Sequence, residues 1–106
     1  VFNNGVMQRD FTYIDDIVEG VIGLIDKIPT KQKNFITSSN APFKVFNIGN
    51  NDPVTLERFI KAIEEAVGKK AKRNVLPMQP GDVPITFADI AELELAINFR
   101  PSKRME

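Results

Sequence analysis

Arg9 stands in a β-forming run, Arg9-Asp10-Phe11-Thr12-Tyr13-Ile14, that follows a glycine-containing turn and closes on Asp15-Asp16. A planar guanidinium there can hold two phosphate oxygens in a fork, which a lysine ammonium cannot do with the same geometry. The plainer alternative is a surface arginine paired with Asp10 or Glu19. Asp15 and Asp16 have the composition of an acid and base pair. Adjacent carboxylates that open a helix are more commonly a cap and a partner for its dipole, and nothing beside these two would raise a pKa. The loop Met78-Gln79-Pro80-Gly81-Asp82 is a third candidate. Pro80 stiffens the turn, Gly81 admits close backbone approach, and Asp82 offers two acceptors suited to the hydroxyls of a ribose or sugar. An ordinary turn, with Asp82 satisfying its own backbone, is the competing reading.

Other chemistry is excluded by composition. The chain has no cysteine and no histidine. Disulfides and thiolate catalysis are therefore absent, as are the commonest neutral-pH base and metal ligand. Asn47-Ile48-Gly49-Asn50 holds a single glycine and does not meet the G-x-G-x-x-G of a dinucleotide loop. It reads as a strand end and a turn. The phenylalanines fall at core-like positions and read as packing.

These residues need elements to hold them. Asn3-Asn4-Gly5 is a turn signature, and Val6 to Ile14 alternates loosely, which predicts a hairpin-like pair. Asp15 or Asp16 is the expected N-cap of a helix with Ile14, Ile17, Val18, Val21, Ile22, Ile25 and Ile28 on its inner face, ending near Pro29. Lys31 to Pro42 is polar and predicts a surface loop, and Phe43 to Ile48 a strand. Thr55 caps a second helix whose stripe is Leu56, Phe59, Ile60, Ile63, Ala66 and Val67, with Gly68 as its stop. A strand near Arg73 to Met78 precedes the Gln79–Pro84 loop. Asp89 then caps a third helix, with Ile90, Leu93, Ala96 and Ile97 inward, that stops near Asn98. Pro101 to Glu106 reads as the lead-in to a further element.

The class is α/β: a small mixed lobe of short strands alternating with about three helices, with too few strands for a complete doubly wound sheet. No internal repeat or low-complexity linker appears. Its 106 residues make one small domain or a piece of a larger one, and 42% apolar residues suffice for a modest core. Fourteen basic and fourteen acidic residues cancel, so no net field draws in nucleic acid or an anionic membrane. No run approaches the ~18 apolar residues of a membrane span, and Val1 onward has no signal-peptide pattern. A cytoplasmic setting is expected.

In order along the chain, Arg9-Asp10-Phe11-Thr12-Tyr13-Ile14-Asp15-Asp16-Ile17, Phe46-Asn47-Ile48-Gly49-Asn50, Pro80-Gly81-Asp82-Val83 and Ala88-Asp89 resemble the extended short-chain dehydrogenase/reductases that act on nucleotide sugars. The wording of Leu76-Pro77-Met78-Gln79-Pro80-Gly81-Asp82-Val83 is especially similar to UDP-glucuronate 4-epimerases. The resemblance runs from Val1 to about Pro101. It implies that residues 1–106 are a C-terminal lobe that binds the UDP-sugar, part of a Rossmann-type epimerase. In such a lobe Val1 and Phe2 would pass along the uracil, Arg9 would bind the diphosphate and Asp82 would bond the ribose. Gln79 stands where UDP-galactose 4-epimerases carry a second phosphate-binding arginine. It can donate a hydrogen bond but supplies no charge, and the glucuronate-type enzymes share it.

The resemblance further implies an NAD cofactor held by an N-terminal Rossmann domain that this sequence does not contain, with a Tyr-x-x-x-Lys pair that is also absent. Tyr13 is followed four residues later by Ile17. No catalytic residue is therefore expected here, no cofactor should bind this chain, and it should be inert alone. Close rivals are a UDP-glucuronate decarboxylase or a nucleotide-sugar dehydratase, which share the lobe. A free-standing binding module is the alternative from another class. Without a Rossmann domain to cover them, the helices should expose apolar surface and self-associate, and UDP should bind weakly.

Overall fold

A computed structural model of the chain describes residues 1–30 and 42–104. The loop expected over 31–42 lies outside the described residues apart from Pro42. The elements run as a 3-10 turn at Asn3–Gly5, β1 (Gln8–Arg9), α1 (Ile14–Ile25), β2 (Val54–Thr55), α2 (Leu56–Val67) and α3 (Ala91–Ile97). Among the described residues, three helices and a two-stranded sheet make a small α/β lobe, as the sequence predicts.

The expected hairpin does not form. Asn3, Asn4 and Gly5 all have positive φ (49°, 51° and 82°), and Val6 donates back to the Asn3 carbonyl at 2.9 Å. That coil points β1 away from Val1–Phe2 and toward remote partners. β1 pairs antiparallel with β2, Gln8 opposite Thr55 and Arg9 opposite Val54. On its other side Gln8 bridges in parallel to Ile85, with Gln8 N–H to Pro84 O at 2.8 Å and Thr86 N–H to Gln8 O at 3.2 Å. Alternation signals an extended segment but carries no record of its partner.

The second helix has the expected ends, but Ile63 and Val67 of its stripe are exposed and Glu64 is its buried residue. Thr55 Oγ1 accepts from Arg58 N–H at 3.3 Å, and Gly68 closes the helix in the left-handed region at φ 71°. α3 begins one residue later than its expected cap allows, but Asp89 still serves it by accepting from Ala91 N–H at 3.1 Å. Ile90 and Leu93 are fully buried and, with Met7 and Val54, form the small core.

The first helix departs from expectation in three ways. Its cap is Tyr13, with no side-chain bond, so neither Asp15 nor Asp16 is the N-cap; both sit in the first turn, where they complement the dipole. Asp16 is 1% exposed, and its carboxylate accepts the N–H groups of Ser102 (3.2 Å) and Lys103 (3.0 Å). Burial of a carboxylate is tolerable because both donors satisfy it. The helix also stops at Ile25, where bonds back to the Leu24 carbonyl tighten the chain before Pro29.

The inward face of α1 is the glycine face. A Cβ built on Gly23 would lie 2.8 Å from Ile97 Cδ1, and one on Gly20 3.4 Å from Ile48 Cδ1, so these glycines let α1 approach α3 and its neighbours closely. Ile14, Val18, Val21, Ile22 and Ile25 consequently face solvent. The periodic stripe was legible, but its partner is not among the described residues.

Two expected strands are not formed. Residues 43–48 join no ladder, and Phe43 and Val45 are exposed. A strand is fixed by the edge that takes its backbone groups, which a run of β-forming residues does not specify. Residues 73–78 come closer: Leu76 N–H donates to Val1 O at 2.8 Å and Asn4 N–H to Leu76 O at 3.1 Å. That exchange is too short to be a strand.

Candidate functional site

β1 places Arg9, and the turn Gln79–Asp82 places Asp82, its N–H donating to Gln79 O at 3.2 Å and Gly81 supplying φ 82°. The parallel bridge between Gln8 and Ile85 brings strand and loop together. Arg9 Nη2 then donates to Asp82 Oδ1 at 2.9 Å, across 73 positions of sequence. Arg9 Nη1 donates to the carbonyls of Gln8 (2.8 Å) and Pro84 (3.4 Å), which fixes the guanidinium plane. The side chains are 24% and 30% exposed, so the pair is half-sheltered. Neither Asp10 nor Glu19 is its partner. Asp82 Oδ1 also accepts from its neighbour Val83 N–H at 2.8 Å, as the turn reading expects, so one oxygen serves both the turn and Arg9.

Arg9 and Asp82 open onto a hollow of about 410 Å³. Val1 and Phe2 line one part of it, and Leu56, Phe59, Ile60 and Ile63 of α2 another. Four of the five candidate residues, Val1, Phe2, Arg9 and Asp82, are therefore brought together. The fifth is not: Gln79 is exposed and enters only through its carbonyl bond to Asp82. An apolar hollow with one guanidinium and one carboxylate suits a ligand with a flat apolar part, an anionic group and hydroxyls. Phe59 is held by Phe11, the two rings stacked at 3.9 Å between centroids and 8° between planes. The phenylalanines are not the core expected of them: among the described residues none is buried, and Phe43 and Phe87 are exposed.

Sequence reasoning missed Asp10. Its Oδ2 accepts from Asn51 N–H (3.0 Å) and Ala88 N–H (3.1 Å), and its Oδ1 from Asp52 N–H (3.2 Å). Thr12 Oγ1 adds a bond from Asn50 N–H at 3.0 Å. The residue next to Arg9 thus knits the 49–52 turn and the 86–88 segment to β1. The available signal was an aspartate inside a run of β-formers, where that residue type is depleted.

The network around Glu64 was also missed. Its carboxyl is held at about 2, well below the usual carboxylate range, by Lys70, by the Ala71 N–H and by nearby Arg73, against a smaller opposing effect of burial. Arg73 holds Glu57 below that range as well, and is itself raised by Glu57.

The space in front of Gly49 is filled from within, since a Cβ there would lie 2.4 Å from Ala88 Cβ and 3.0 Å from Asp10 Oδ2. Among the described residues no group of three acidic, histidine or cysteine side chains could hold a metal ion, and no helix is long and apolar enough to cross a membrane.

No family model matches the chain. Over its whole length it is 46% identical, across 112 aligned residues, to Protein CapI of Staphylococcus aureus, of which it covers 34%. It is 43% identical, across 114 residues, to a protein of Rhizobium meliloti (strain 1021) named probable UDP-glucuronate 4-epimerase, covering 33% of it. The fold matches the crystal structure of UDP-glucuronic acid 4-epimerase from Bacillus cereus in complex with UDP-glucuronic acid and NAD, with a TM-score of 0.78 and 30% identity. That match takes in 99% of this chain and 30% of the other. The chain spans about a third of the length of the curated relatives it matches.

Fold and sequence together make the chain a small α/β lobe similar to about a third of a Rossmann-type nucleotide-sugar epimerase. The particular enzymes it resembles are UDP-glucuronate 4-epimerases, as the phrases around Arg9 and Asp82 imply.

Proposed function

We propose that residues 1–106 are the substrate-binding portion of an NAD-dependent nucleotide-sugar epimerase that interconverts UDP-glucuronate and UDP-galacturonate at C4 by transient oxidation to a 4-keto sugar. The observation that carries this reading is the Arg9–Asp82 pair at the apolar hollow, 2.9 Å apart. In this reading the base lies against Val1 and Phe2, the Arg9 guanidinium holds the diphosphate, and Asp82 accepts from the ribose. Gln79 stays outside the hollow and takes part only through the carbonyl that accepts from Asp82 N–H. The chain's part in catalysis is to fix one end of the substrate so that the sugar turns about a held diphosphate.

NAD, when bound to the Rossmann domain of the longer protein, supplies the acceptor and donor of hydride. That domain is also the partner we assign to the exposed stripe of α1, and a cytoplasmic setting belongs to the same proposal. Support comes from the 99% coverage of this chain by a structure whose ligands are UDP-glucuronic acid and NAD.

The test is a titration of the 106-residue chain with UDP and with uridine, monitored by amide shifts. UDP should bind more weakly than micromolar, because contacts from the other domain are lacking, and should perturb Val1, Phe2 and Asp82. Arg9→Ala should remove the advantage of UDP over uridine, about tenfold or more for a lost charge-assisted fork. An Arg9→Ala variant that still prefers UDP by the wild-type factor would rule the assignment out.

A further inference from the structure

Glu64 is buried, at 7% exposure, on the last turn of α2, and no part of the proposed binding chemistry uses it. Its Oε1 accepts the Ala71 N–H at 3.0 Å and its Oε2 takes Lys70 Nζ at 2.7 Å. Arg73 Nη2 lies 3.6 Å from the same carboxylate. The Arg73 guanidinium also forks onto Glu57 in the first turn of α2, at 2.5 and 3.1 Å. Glu57 and Glu64 are seven positions apart, about 10.5 Å along the axis. Segment 70–73 is thus folded back along α2 and clasped near both of its ends.

Immediately beyond the clasp, the chain holds Val1, which lines the hollow. The Val1 nitrogen donates to Asn74 O at 2.6 Å, and Leu76 N–H to Val1 O at 2.8 Å. Val1 and Phe2 therefore hang on the segment that Glu64 and Arg73 fasten to α2, while α2 itself presents Phe59, Ile60 and Ile63 to the same hollow. An apolar side chain at position 64 would pack, but it would leave the Ala71 N–H without its acceptor. The carboxylate adds direction to the contact, and directional bonds fix a spacing better than apolar contact does.

We propose that Glu64, acting through Ala71 and Arg73, is a positioning residue that sets the spacing between Val1–Phe2 and α2, and so tunes affinity for the nucleoside part of the ligand and not for its diphosphate. This rests on reading the hollow as the UDP site. Arg9 and Asp82 are held by β1 and the Gln8–Ile85 bridge, which the clasp does not touch.

The experiment titrates the wild-type chain, Glu64→Gln and Arg73→Gln with uridine, pyrophosphate and UDP, at a temperature where circular dichroism shows each variant folded. Gln at 64 keeps the shape and one acceptor; Arg73→Gln loosens the clasp from its exposed side should the first variant fold poorly. The expected result is a loss of about three- to tenfold for uridine and for UDP, with pyrophosphate within about twofold of wild type, as for one or two weakened hydrogen bonds. Unchanged affinities with only a lowered melting temperature would make Glu64 a stabilising residue and overturn the proposal. Equal losses for all three ligands would overturn it too. If the wild-type chain bound neither uridine nor UDP at 10 mM-scale concentration, roughly 3 kcal/mol of affinity, the UDP reading itself would fall and this inference with it.

Discussion

Asp10 and Ala88 stand 78 positions apart in sequence and are joined by a 3.1 Å hydrogen bond from the Ala88 N–H to the Asp10 carboxylate. The same carboxylate takes the N–H groups of Asn51 and Asp52, so one side chain ties two segments to the end of β1. Asp10→Ala should destabilise the chain by roughly 1.5–3 kcal/mol, the usual worth of bonds to a charged acceptor. Asp10→Asn should recover little, since its amide end donates where only acceptors fit. Urea denaturation of the three proteins checks this; a loss under about 0.5 kcal/mol for Asp10→Ala, the size of an ordinary surface change, would contradict it.

Gly49 and Ala88 are in close approach. A methyl at Gly49 would come 2.4 Å from Ala88 Cβ, so Gly49→Ala should cost about 1–3 kcal/mol by overpacking. The damage should be relieved by Ala88→Gly on top of it, because the clash is between two methyl groups. Absence of that relief in thermal melts would place the cost elsewhere, in the Asp10 carboxylate 3.0 Å away.

The Glu64 carboxyl, held at about 2 instead of its ordinary 4.5, makes stability depend on pH in a defined direction. A depressed folded-state pKa contributes stability that is complete above the ordinary value and is lost as pH falls toward 2. Lys70, the Ala71 N–H and Arg73 lower the pKa, and Glu57 beside Arg73 belongs to the same group. Wild type should therefore melt above Glu64→Gln at pH 7, and the gap should close between about 4.5 and 2. Lys70 is largely exposed, so added salt should narrow the gap at pH 7. A gap that persists at pH 2 would show that the charge is not its source.

The solvent-facing stripe of α1, Ile14, Val18, Val21, Ile22 and Ile25, should make the isolated chain self-associate. Val18→Lys with Ile25→Glu should shift sedimentation toward monomer without loss of helix signal. A sharp wild-type monomer at high concentration would count against an adhesive face.

The sequence went furthest where structure is local. Thr55, Gly68 and Asn98 mark helix ends through the geometry of a few adjacent residues, and all three do so in the fold. Arg9 and Asp82 stand out in the sequence as candidates for a phosphate fork and a diol acceptor, and the ordered phrases around them carry the resemblance to nucleotide-sugar epimerases. Gln79 was readable as a substitution but not as an exposed side chain outside the hollow. Asp16 was misread because an acid at a helix start looks the same whether it caps that helix or, as here, serves the N–H groups of Ser102 and Lys103.

Residue types and spacing by themselves determined which segments coil into helices, where α2 and α3 stop, and which side chains carry charge. Tertiary structure alone decided the partners. It turned the glycines of α1 inward and its isoleucines outward, gave β1 its neighbours at Val54 and Ile85, and set Arg9 against Asp82. The physical reason is range. Helix propensity and capping act over a few residues, whereas a ladder bond or an ion pair across 73 positions is chosen by how the whole chain packs.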